Sequence, residues 1–133
     1  MKRVAVTAVG LVAIVTLSGC ATIEEYGFHE KELAFATWGD APTRGDLAFV
    51  PAEFVAHDAT DLRIRTKTDG TGKLYRYETA SPLDLELCTP SAIEKTTPLD
   101  ASWWPDRIPA EGSMCGEDWQ VFESDGVTYA FRN

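Results

Sequence analysis

Between residues 62 and 77 the chain alternates so regularly that it can fold in very few ways. Leu62, Ile64 and Thr66 take turns with Arg63, Arg65 and Lys67. Asp69-Gly70-Thr71-Gly72 then supplies turn residues, and Leu74-Tyr75-Arg76-Tyr77 follows. A strand points successive side chains to opposite faces, so this pattern predicts a β-hairpin. A two-residue turn at Asp69-Gly70 sets Ile64 opposite Tyr75, Leu62 opposite Tyr77 and Arg63 opposite Arg76; a four-residue loop shifts the partners by two and keeps the faces. One face then holds Leu62, Ile64, Tyr75 and Tyr77 and must meet a core. The other holds the row Arg63, Arg65, Lys67 and Arg76. A slip of one residue would bury that basic row, so the register is strongly specified.

A second hairpin is expected at the C-terminal end. Trp119 and Val121 alternate inward, Val127, Tyr129 and Phe131 return, and Ser124-Asp125-Gly126 fits a three-residue turn. That register pairs Val121 with Tyr129 and Trp119 with Phe131. Between the hairpins, Ser81-Pro82 reads as a helix start, with Asp84 in the first turn and Leu83 and Leu87 on one face. Residues 89–114 read as a long connection anchored by Trp103-Trp104-Pro105. The expected fold class is therefore α+β: a small antiparallel sheet of about four strands, made of two β-hairpins, with one short helix and a pinned loop.

The chain begins differently. Lys2 and Arg3 precede the uncharged run Val4–Leu17, which is shorter than the roughly 20 residues a spanning helix needs. This is the layout of a secretory signal peptide. The small residues Ser18 and Gly19 suit ordinary cleavage, but Leu17-Ser18-Gly19-Cys20 resembles the lipobox of bacterial lipoproteins. The resemblance implies that Cys20 is lipidated and becomes the first mature residue. Each buried CH₂ contributes about 0.8 kcal/mol, so a two-chain lipid would hold the domain firmly at a membrane face. The expected organisation is a signal peptide over 1–19, a lipidated N-terminus and tether over 20–45, and a single domain over 46–133.

With Cys20 assigned to lipid, Cys88 and Cys115 remain. In an exported chain they are expected to form a disulfide that pins the ends of the long connection. The alternative, a reactive thiol, lacks a neighbouring His or basic residue to lower its pKa.

The whole chain carries a net charge of −9; without residues 1–19 it keeps 10 basic and 21 acidic residues, a net −11. That balance argues against nucleic-acid binding, which needs phosphate-neutralising cations. It also argues against lying flat on anionic lipid. Gly70-Thr71-Gly72-Lys73 lacks the spacing of a phosphate loop. Gly112-Ser113-Met114-Cys115-Gly116 does not match a nucleophile elbow. His57, Asp58 and Asp61 do not supply a metal-ligand spacing. The expectation is a non-enzymatic protein with no catalytic residue, metal or cofactor.

Two features invite a binding role. The row Arg63, Arg65, Lys67 and Arg76 is either neutralised by the chain's own acids or a docking face for an anionic protein segment or envelope polymer. Trp103-Trp104 either plugs a small core or forms a stacking platform for a glycan or other small ligand.

The lipobox, the stretch Phe54-Val-Ala-His-Asp-Ala-Thr60 running into Leu62–Gly70, and Cys115-Gly-Glu-Asp-Trp119 before a final Asp-Gly turn together resemble a group of small uncharacterised membrane lipoproteins of actinobacteria. The resemblance implies a lipid-anchored protein on the extracytoplasmic face of the cell membrane and transfers no functional residue. The reading is a membrane-anchored interaction or accessory module, with a small-ligand or glycan-binding domain as the alternative.

Overall fold

The computed structural model describes residues 29–45, 49–69, 71–94 and 96–133. The expected signal peptide, Cys20, the first part of the tether and the turn glycine Gly70 lie outside the described residues.

Among the described residues seven strands form one antiparallel sheet: β1 Glu30–Thr37, β2 Thr60–Lys67, β3 Lys73–Glu78, β4 Cys88–Ala92, β5 Glu111–Cys115, β6 Trp119–Ser124 and β7 Val127–Arg132. Their order across the sheet is β1-β2-β3-β7-β6-β5-β4. The first three strands make one meander and the last four another. The two are joined edge to edge by pairing of β3 with β7, in which Leu74 faces Phe131 and Arg76 faces Tyr129.

This corrects the α+β expectation. Among the described residues there is no helix longer than the single 3-10 turn at Trp38–Asp40, which ends β1. Ser81–Leu87 is irregular instead, with one tight turn beginning at Asp84. The Asp84 carbonyl accepts from Leu87 N at 3.1 Å and Cys88 N at 2.8 Å, while Asp84 Oδ1 accepts from Glu86 N at 2.8 Å. Helix nucleation is costly, and seven residues offer few bonds to repay it. The Asp84 carboxylate also competes for the backbone donors, and Cys88 must be extended to enter β4.

The strand count is corrected as well, from about four to seven. Glu30–Thr37, expected in the tether, is an edge strand that pairs with β2, Leu33 facing Ile64 and Phe35 facing Leu62. The expected long connection supplies β4 and β5 at its two ends. They pair through Cys88 opposite Cys115, and these cysteines are joined by a disulfide with Cα atoms 4.1 Å apart. Closing a loop of this length restricts the unfolded chain and contributes about 3–4 kcal/mol.

From Arg63 to Thr66 the first hairpin has the expected register, with Ile64 opposite Tyr75 and Arg63 opposite Arg76; the register shifts between Thr60 and Arg63, so the expected pairing of Leu62 with Tyr77 is not kept. The last hairpin does not. Its turn has two residues, Asp125 at φ 52° and Gly126 at φ 77°, so Ser124 faces Val127 and Val121 faces Ala130. Positive φ at both central residues suits the twist of a two-residue hairpin. Trp119 and Val121 consequently lie on one face of the sheet, Tyr129 and Phe131 on the other.

Both faces are therefore covered, and by loops rather than helices. On the first face, Leu62, Ile64, Tyr75, Tyr77, Val121 and Ala130 are buried beneath Phe49, Phe54 and Val55, with Leu83 and Leu87 packed alongside. On the second, Leu74, Phe122, Tyr129 and Phe131 are buried beneath Ile93 and Leu99, with Trp103, Trp104 and Ile108 against them. Gly112 lets the second cover approach. A Cβ there would lie 2.4 Å from the Val121 carbonyl oxygen and 2.8 Å from Ile93 Cγ1.

Candidate functional site

The basic row lies on the second face at its β1–β3 end, where it is matched by acids. Arg65 donates through Nη2 to Glu30 at 2.6 Å and through Nη1 to Glu32 at 2.9 Å. Both glutamates come from β1, which the sequence alone assigns to the tether. Asp61 sits at a register shift in β2 with φ 48°. A bulge of this kind re-aims a side chain, and here the carboxylate meets Arg76 and, at 3.5 Å, Arg63 Nε. Arg76 also reaches Glu78 at 3.4 Å.

The pairs set the ionisation of the row. The hydrogen bond from Arg76 holds Asp61 below the usual carboxylate range. Burial opposes the charge on Arg65, but its hydrogen bonds to Glu30 and Glu32 outweigh that and raise its pKa. Lys67, at the end of the row, helps the Thr71 hydroxyl keep Asp69 low. Three of the four cations are thus engaged by carboxylates of the same sheet face. The side chains of Arg65 and Arg76 are only 18% and 16% exposed.

The remaining acidic candidates do not converge. Asp58 is held by the Thr79 hydroxyl at 2.5 Å and the Ser81 hydroxyl at 3.1 Å. His57 stacks on Trp38 with ring centroids 4.1 Å apart. Among the described residues no group of three or more His, Cys, Asp or Glu is placed to hold a metal ion.

The two tryptophans divide the roles weighed for them. Trp104 plugs the second core. Its ring meets Tyr129 at 5.4 Å, Phe122 at 5.7 Å and Phe131 at 6.0 Å, each edge to face. Such contacts are worth about 0.5–1.5 kcal/mol each beyond their buried area. Trp103 turns toward the charged end of the face and donates from Nε1 to Glu32 at 2.9 Å. It thereby ties the loop to the glutamate that Arg65 also holds.

A hollow of about 540 Å³ opens beside this pair. Trp103, Trp104 and Tyr129 give it aromatic walls, and Asp106, Arg107, Ser124 and Asp125 add polar groups of both signs. A second hollow, about 480 Å³, lies beside Trp104–Arg107 and is bounded by Thr97, Asp100 and Ile108. Trp104 lines both, and its buried Nε1–H has no hydrogen-bond partner among the described residues. A buried unpaired donor costs about 1–3 kcal/mol.

Sequence reasoning found Trp103 and Trp104 but missed the polar groups around them. Asp106 and Arg107 follow Trp-Trp-Pro directly, so their proximity was available as a signal. Ser124, Asp125 and Tyr129 come to the hollow only through the β6–β7 turn, and read in sequence they were turn and core residues. No protein-family model matches this chain, and no curated protein or solved structure is significantly similar to it.

Proposed function

We propose that the chain is a lipid-anchored, extracytoplasmic recognition module that binds a hydroxyl-rich ligand, such as an envelope saccharide, at the Trp103–Arg107 loop without covalent chemistry. The anchor follows from the resemblance of Leu17-Ser18-Gly19-Cys20 to a lipobox. The observation that carries the binding reading is the hollow of about 540 Å³ in which aromatic walls meet Asp106, Arg107, Ser124 and Asp125. Sugars present apolar C–H faces and hydroxyls that both donate and accept, and aromatic rings beside mixed polar groups complement both. The basic row is the weaker candidate, because its three guanidiniums already face carboxylates.

Tryptophan fluorescence of the intact protein, titrated with neutral cell-envelope oligosaccharides, tests this. Saturable change that is lost in Asp106→Asn with Arg107→Gln supports the site. An identical titration in that variant, or no change with any saccharide, rejects it.

A further inference from the structure

We propose that a third hollow, on the first face beside the disulfide, is a binding site for an organic cation with an apolar body. It is about 290 Å³ and shares no residue with the Trp103–Arg107 loop. Its walls are fixed on both sides of the cross-link. Leu87 and Gly116 each adjoin a bonded cysteine, and Gly116 N donates to the Leu87 carbonyl at 3.0 Å. The hollow is thus largely pre-formed, and a ligand loses little affinity to ordering it.

The floor is aromatic. Trp119 is buried against Tyr75 at 4.6 Å and Phe54 at 5.5 Å. The Arg132 guanidinium lies 5.1 Å from the Trp119 ring centre and its Nη1 is 3.7 Å from Asp118. The one cation among the described residues of the hollow is therefore committed to a ring face and a carboxylate. Glu53 and Glu117 add two further exposed carboxylates to the rim, so the hollow is net negative.

That combination selects the ligand by charge. An anion is repelled by the rim and by a chain of net charge −9. A neutral apolar molecule fills the floor but gains nothing from the carboxylates. An ammonium group on an aromatic or aliphatic body satisfies both: the body rests on Phe54, Leu87 and Trp119, and the charge meets Glu53 and Glu117. Rim charges set selectivity and salt dependence more than raw affinity.

The test uses the intact, isotope-labelled protein and three probes of matched shape: phenethylammonium, hydrocinnamate and 2-phenylethanol. Phenethylammonium is expected to shift the Trp119 indole and Gly116 amide resonances with a Kd on the order of 1 mM. 2-Phenylethanol should bind several-fold more weakly, hydrocinnamate not measurably, and added salt should weaken the cation alone. Glu53→Gln with Glu117→Gln leaves the Arg132–Asp118 pair in place, and is expected to raise the phenethylammonium Kd roughly three- to tenfold. Equal binding of all three probes, an unchanged Kd in the double variant, or no movement at Trp119 and Gly116 would each overturn the assignment.

Discussion

Strands β1–β3 and strands β4–β7 are both antiparallel meanders, yet they carry opposite chemistry on the face they share beneath the Trp103–Trp104 loop. The first meander presents Glu30, Glu32, Arg63, Arg65 and Arg76, held by ion pairs. The second presents Phe122, Tyr129 and Phe131, held by the Trp104 ring. Ion pairs at a partly wet surface contribute little net stability, whereas buried aromatic packing contributes a great deal. The apolar half is thus a fixed platform, and the charged half tunes how the loop sits on it. Trp104 fastens the loop to the apolar half, while Trp103 is oriented by a single hydrogen bond to Glu32 in the charged half.

Perturbing the two halves should give unequal results. Trp104→Ala removes the plug and is expected to lower stability by about 3–5 kcal/mol, read from the denaturant midpoint. A loss below 1 kcal/mol would mean that the loop does not close the core. Gly112→Ala forces a methyl group against the Val121 carbonyl and Ile93, and should cost about 1–3 kcal/mol as the cover lifts. An unchanged midpoint would contradict that close approach.

Alkaline pH probes the face opposite to both. Burial pushes the Tyr75 hydroxyl up to about 12 and raises Tyr77 as well. A group whose pKa is raised on folding lends stability that is complete below its unfolded value and is lost as pH rises through its folded one. Stability should therefore hold up to about pH 10 and then fall toward pH 12, by about 2 kcal/mol for Tyr75. A stability curve that stays flat across this window would count against tyrosine burial. The smallest effect belongs to the charged half. Arg65→Met should cost about 1 kcal/mol or less at low salt, and the difference from the parent should shrink as salt screens Glu30 and Glu32. A loss as large as that of Trp104→Ala would erase the distinction between the halves.

How much of this was legible depends on how many faces of a strand are buried. In β2 and β3 one face is apolar and the other charged, so period-two alternation gave the correct partners for Ile64 and Arg63. In β6 and β7 both faces are covered, and Trp119-Gln120-Val121-Phe122 contains no clean alternation. A three-residue turn there would put Trp119 and Phe131 on one face; the actual turn is one residue shorter and puts them on opposite faces. Strand β1 was hidden by Glu30-Lys31-Glu32, residues that look like a solvated cluster until their partner Arg65 is beside them. Strands β4 and β5 carry Pro90 and Gly112, poor strand formers in isolation. Proline is tolerated because β4 is an edge strand, and pairing follows from Cys88 facing Cys115. Leu83 and Leu87 suggested a helix face and do reach the core, yet Leu85 between them is 83% exposed and the turn ends at β4. Of the candidate site, the two tryptophans could be read from sequence; the polar partners from β6–β7 required the fold.

The measurement that decides between the two halves is a pair of resonance-mapped titrations of the intact protein, one with a neutral envelope saccharide and one with an anionic envelope polymer. Recognition by the loop predicts saturable shifts at Trp103, Asp106, Ser124 and Asp125 with the saccharide, and no saturable shift along Arg63, Arg65 and Arg76 with the polymer. Saturable shifts confined to those three arginines, with the loop silent to every saccharide, would contradict it.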